Sequence, residues 1–234
     1  DDGGTYKMIG ALSYGDYFTL NGLGLATPIE YMIGTEQEFP PIASVLTLDE
    51  PVRTDSAGTV DRIRIGDQPA KAAGTVTMQP MFGLQITGIP RGTAAYRRFE
   101  TLAERSGLPV LNGANGQCNS GGFTTPYAAG SSLGAYYTLG SVNLGGYGTV
   151  TYRDGDSVMG FGHPMDWVGR TDLFATNVWI SGIWGSSQVA YKIGCPGQIQ
   201  GALTQDRSAG VGVDTLATTA TTSVTSQMSV TTDK

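Results

Sequence analysis

The 234-residue chain is poor in the groups on which most protein chemistry depends. It has one histidine, His163, two cysteines, Cys118 and Cys195, and only 15% charged residues. A lone histidine and two cysteines without Cys-x-x-Cys spacing do not make a zinc site. Asp154-Gly155-Asp156 lacks the further ligands of a calcium loop and reads as a turn. The glycine pairs Gly22/Gly24 and Gly145/Gly146 sit in no strand–turn–helix context with a lysine or partner acid, so a nucleotide site is not indicated and no cofactor is expected. The formal net charge is −6, the pI is about 4.7, and no Lys/Arg cluster occurs, which argues against nucleic acid or an anionic membrane as the main partner. No apolar run approaches the ~18 residues of a membrane span, and no signal peptide is visible.

Glycine is abundant, at 35 residues, and Thr, Ser and aromatics are plentiful. That balance weakens helices and suits turns, bulges and closely approaching strands. The expectation is a folded, mainly β protein of one large domain or two small ones. Strands are read at Tyr6 to Gly15, at Ser44 to Leu48, Val60 to Ile65, Gly74 to Met78 and Leu84 to Thr87, then at Gly148 to Tyr152, Ser157 to Phe161, Phe174 to Ile183, Gln188 to Ile193 and Gln198 to Thr204. Asp154-Gly155 between two β runs predicts a tight hairpin. Thr27, Pro28 and Gly34 bracket a short helix, and Thr93 to Ser106 predicts the one good helix, with Tyr96, Phe99, Leu102 and Ala103 on one face. Pro40-Pro41 marks a boundary, and the tail from Thr215 is Thr/Ser-rich, a terminal strand or a linker. The chain starts at Asp1-Asp2-Gly3-Gly4, which reads as a turn between strands, so a segment is expected upstream. A Cys118–Cys195 disulfide would close a 77-residue loop and add roughly 4 kcal/mol in the chain-entropy model; the spacing leaves pairing and redox compartment open.

His163 lies in Gly160-Phe161-Gly162-His163-Pro164-Met165-Asp166, directly after a strand and beside glycines, where a ring can face a cleft and act as a general base. The bland alternative is a histidine packed against a turn. Cys118-Asn119-Ser120-Gly121-Gly122 reads either as an oxyanion loop, with Ser120 as a third-choice nucleophile, or as an ordinary loop.

The run Gly148 to Pro164 resembles the histidine hairpin of the stage IV sporulation protein B family of serine peptidases, most of all its secreted relatives in high-GC Gram-positive bacteria. The similarity continues through Tyr191-Lys192-Ile193-Gly194, through Gly197 to Arg207, and upstream over Leu84 to Pro109. Met8 to Gly15 and Thr27-Pro28-Ile29-Glu30 match the family's segment after its Gly-Met-Ser-Gly-Ser-Pro nucleophile motif, and that motif itself is not in this chain. The resemblance implies a chymotrypsin-like double β-barrel in altered chain order, with one inserted helix-containing segment. Residues 1–36 would be the end of the nucleophile barrel, 37–125 an intervening β/α segment, 126–214 the histidine barrel, and 215–234 a terminal strand or linker. It implies a secreted or cell-envelope serine endopeptidase acting on protein or peptide substrates. His163 would be the general base and Asp206 the triad acid, with Asp166 as alternative. Ser13, Tyr14 and Gly15 would form the rim of the substrate site, and the nucleophilic serine would lie upstream of Asp1, in a segment of the same precursor. The competing expectation is a catalytically inactive, peptidase-like module used extracellularly for binding or assembly.

Overall fold

The computed structural model describes residues 7–16, 23–34, 45–55, 57–66, 72–105, 108–111, 122–185 and 191–225. Thirteen strands and two helices are described in it: β1 (Gly10–Gly15), β2 (Gly24–Pro28), α1 (Ile29–Ile33), β3 (Val45–Thr54), β4 (Gly58–Ile65), β5 (Thr75–Pro80), β6 (Leu84–Thr87), α2 (Ala94–Arg105), β7 (Val110–Leu111), β8 (Ser132–Thr138), β9 (Asn143–Asp154), β10 (Ser157–Gly160), β11 (Gly169–Trp184), β12 (Tyr191–Arg207) and β13 (Gly210–Asp214). The protein is mainly β.

The strands form two sheets. In one, the order β10-β13-β12-β11-β8-β9 closes on itself through a β9–β10 pairing, giving a six-stranded barrel, and β6 and β7 extend from β9. The other is an open five-stranded half-barrel in the order β2-β1-β5-β4-β3. Closure follows from the tight hairpin expected between the two β runs; its loop residues are Gly155 and Asp156, one position on from Asp154-Gly155, with Ser157 opposite Asp154 and Gly155 at φ 55°. The barrel interior is filled by Leu133, Ala135, Val150, Val158, Phe161, Leu203, Val211 and Val213, all nearly sealed from water. Tyr14, Val60, Ile63, Val76 and Met78 form the smaller core of the open sheet.

Several elements differ from those expected. Gly24–Pro28 forms β2, so Thr27 is a strand residue whose hydroxyl donates to Gly162 O, and Pro28, expected at the first helical position, is the N-cap of α1; the short β7 is also additional. Gln188 to Ile193 and Gln198 to Thr204 are not two strands, because β12 runs unbroken from Tyr191 to Arg207; Gln188 itself lies outside the described residues. Pro196 is tolerated because it pairs with Val178 where the β11–β12 register shifts, and a bulge does not need every ladder N–H. β8 was not foreseen, since Ser-Leu-Gly-Ala-Tyr-Tyr-Thr does not alternate; four of its residues in succession are buried, its neighbours covering both faces. On α2, Tyr96 and Ala103 are buried as expected, but Leu102 is exposed. Residues 215–225 of the tail form no strand, and Thr219 donates to Leu173 O.

The half-barrel meets the barrel at the end of β10. Gly162 has φ 77°, and a Cβ there would collide with Ser13 Oγ and Ala11 Cβ of β1. Thr27 Oγ1, at the end of β2, donates to Gly162 O at 2.5 Å in a buried bond. Only glycine lets the segment carrying His163 lie this close to β1.

Candidate functional site

Residues 161–168 leave β10 in a loop with two non-glycine residues in the left-handed region, Phe161 (φ 68°) and Trp167 (φ 61°). Each costs roughly 1–2 kcal/mol, so surrounding contacts must hold the loop, and such strain is characteristic of functional sites. Asp206 on β12 does the holding. Its Oδ1 accepts from Met165 N at 2.8 Å and its Oδ2 from Asp166 N at 2.7 Å. A further bond from the Val168 backbone helps to hold the carboxylate charged. Burial outweighs these bonds and raises its pKa above the usual aspartate value. Asp166 in turn accepts from Tyr137 Oη at 2.5 Å.

His163 is buried among aromatic rings, with centroids 5.7 Å from Phe161, 5.8 Å from Phe82 and 6.3 Å from Tyr14. Its Nδ1 lies 2.9 Å from Pro164 O. A carbonyl oxygen can only accept, so Nδ1 carries the proton and Nε2 keeps its lone pair. Burial lowers the imidazole pKa to about 4 against a small opposing effect from the Pro164 carbonyl. The ring is therefore neutral at neutral pH. A Cβ on Gly148 would fall within the Phe161 ring, so glycine in β9 is what admits this aromatic shell.

The imidazole lines a cavity of about 380 Å³ whose walls come from both sheets. The half-barrel contributes Gly10, Ala11 and Leu12 of β1; the barrel side contributes Gln85, Tyr147, Thr149 and Lys192. Gly10 to Leu12 pair with β2 on one side only, since β5 reaches β1 at Tyr14 and Gly15. Among the described residues, that stretch of backbone meets the cavity on its other side.

The structure brings Asp206 of β12 against the loop that carries His163 and Asp166 but joins neither carboxylate to the imidazole: Asp206 binds backbone N–H groups, and Asp166 has the Tyr137 hydroxyl. Ser13 is fully buried, its hydroxyl donating to Ala11 O at 2.8 Å. Tyr14 is also fully buried, in the half-barrel core, and Gly15 is half-buried; the cavity wall is made by the preceding three residues. Burial pushes the Tyr14 phenol up to about 12. Cys195 is disulfide-bonded. Cys118, the only other cysteine of the chain, Ser120 and Gly121 lie outside the described residues, as do Asn21-Gly22 and Pro40-Pro41, while Gly122 is described, with φ 76°. Sequence reasoning passed over Lys192 and Gln85 as site residues. The available signal was Lys192 as the one charge in the expected β run Gln188 to Ile193, where a charge beside apolar neighbours asks for a partner.

Among the described residues no group of three or more His, Cys, Asp or Glu side chains could hold a metal ion, and no helix is long and apolar enough to cross a membrane. No protein-family model, curated protein or solved structure matches the chain.

Proposed function

We propose that this protein is a serine endopeptidase of the stage IV sporulation protein B type, with a chymotrypsin-like arrangement of two barrels. In it His163 is the general base, and the nucleophilic serine is supplied by chain preceding Asp1. The observation that carries this reading is the state of His163. It is a neutral imidazole with its tautomer fixed by Pro164 O, on the wall of a cavity shared with a stretch of β1 that, among the described residues, is paired on one side only. An extended peptide adds to Gly10–Leu12 through its backbone. His163 Nε2 takes the serine proton as Oγ bonds to the scissile carbonyl carbon. It returns that proton to the leaving amine as the C–N bond breaks, and water then repeats the sequence to release the acid. The Pro164 carbonyl does the orienting work that a triad carboxylate does elsewhere, and Asp206 acts on the imidazole only through the loop it braces. The disulfide at Cys195 supports a secreted or cell-envelope location, where such bonds persist.

A second reading, a peptidase-like module that binds but does not cleave, is favoured by one observation: neither Asp206 nor Asp166 hydrogen-bonds the imidazole. Labelling the natural full-length protein with a fluorophosphonate probe separates the two. The peptidase reading expects a labelled serine N-terminal to Asp1 and loss of labelling in His163→Ala. A natural protein that stays unlabelled beside a labelled control hydrolase leaves the binding module.

A further inference from the structure

The cavity beside His163 holds a charge that the hydrolytic scheme does not use. Lys192 Nζ donates to Gly148 O at 3.1 Å and to Thr149 Oγ1 at 2.5 Å. Both acceptors are neutral, and among the described residues no third acceptor and no carboxylate meets the ammonium group. Burial lowers the Lys192 pKa, as expected for a cation withdrawn from water without a counter-ion. Gln85 supplies a second, independent sign of an unfilled site. It is 2% exposed, and its Nε2 donates to Lys192 O at 2.5 Å, which fixes the amide orientation because a carbonyl only accepts. Its Oε1 is thereby left buried with no hydrogen-bond partner. Lys192 and Gln85 thus line one cavity, the first a cation with no carboxylate partner among the described residues and the second with a buried amide oxygen that lacks a donor, between apolar walls that include Leu12, Met81 and Leu111.

We propose that this cavity is a carboxylate-recognition subsite for peptides, in which Lys192 binds the carboxylate and Gln85 Oε1 accepts an N–H of the same peptide. The subsite rests on the peptidase reading for its place beside the scissile bond. The carboxylate is either an Asp or Glu side chain or a free chain terminus. The overall charge of −6 opposes non-specific capture of acidic peptides, so a preference for them has to come from a local cation such as this one.

The test is fluorescence anisotropy with the full-length natural protein and three labelled peptides of otherwise identical sequence. One has an internal Glu and an amidated terminus, one has Gln and an amidated terminus, and one has Gln and a free carboxyl terminus. The subsite predicts that a carboxylate peptide binds at least about tenfold more tightly than the Gln amide. The first peptide winning assigns the carboxylate to a side chain, and the third assigns it to the terminus. In a Lys192→Met variant shown to fold by its melting curve, that advantage should vanish while affinity for the Gln amide stays. Equal affinities for all three peptides on the natural protein overturn the proposal without any variant. A uniform loss across the three in folded Lys192→Met overturns it as well, because Lys192 would then be a structural brace. Serine labelling is read separately: carboxylate discrimination without labelling keeps the subsite and removes the peptidase reading, and labelling without discrimination does the reverse.

Discussion

In the closed barrel every strand has a hydrogen-bonded neighbour on each side, and Leu133, Val150, Val158, Leu203 and Val211 are sealed from water. In the half-barrel β2 and β3 are edges, and most side chains of β3 are exposed. The two sheets accordingly contribute different things to the site. The barrel carries the side chains that need a fixed geometry and a controlled dielectric: His163 in its aromatic shell, Asp206 bracing the strained loop, and Lys192 on β12. The half-barrel contributes backbone, the stretch Gly10–Leu12 with one side open to the cavity. Rigid positioning comes from closure, and access comes from leaving the other sheet open.

That division predicts a hierarchy of mutational effects. The largest should come from the barrel core: Leu203→Ala is expected to cost roughly 2–5 kcal/mol, read from the denaturant midpoint. Leu48→Ala, on the half-buried face of β3, should cost under about 1 kcal/mol in the same assay. Equal losses would erase the contrast between the sheets.

The next effect is a pH dependence. Above the ordinary histidine value of 6.5 both folded and unfolded chains carry a neutral imidazole, and His163 adds no slope. Below it the unfolded chain takes up a proton first, because the folded pKa is lowered to about 4. Stability should therefore fall as pH drops from 6.5 towards 4 and then level off, with a total of roughly 3 kcal/mol assignable to this group. Urea melts across that range should show this fall in the natural protein and lack it in His163→Gln. For the peptidase, the acid limb of kcat/KM should lie near pH 4 instead of near 6.5.

Asp206→Asn comes third. One oxygen remains to accept, and the new NH2 faces a backbone N–H, so a loss of about 2 kcal/mol in thermal melts is expected. If the loop alone positions His163, labelling by a serine probe should fall without a change in the imidazole tautomer. The smallest effect belongs to the contact between the sheets: Thr27→Val removes the bond to Gly162 O and should cost about 1 kcal/mol.

Much of the architecture was legible because it rests on local chemistry. Gly155 marks the hairpin, the Val60 to Ile65 alternation gives β4, and Thr93 to Ser106 holds α2. β8 and the unbroken β12 were not, because neither glycine-rich alternation nor tolerance of Pro196 can be judged without knowing which strands lie alongside. For the site, Gly-Phe-Gly-His-Pro announces an unusual turn, and His163 does sit on a cavity wall. Asp206 could be placed near that loop by resemblance but not assigned partners, since its bonds to Met165 and Asp166 span about 40 residues. Lys192 and Gln85 meet across 107 residues, a pairing that no periodicity reveals.

The central claim is that His163 is a dry, neutral base with its proton on Nδ1. Because it is the only histidine in the chain, a nitrogen-detected NMR titration of the natural protein with labelled imidazole reads it alone. The account predicts the Nδ1–H tautomer at neutral pH and a midpoint near 4. A midpoint near 6.5, or a proton found on Nε2, would contradict it.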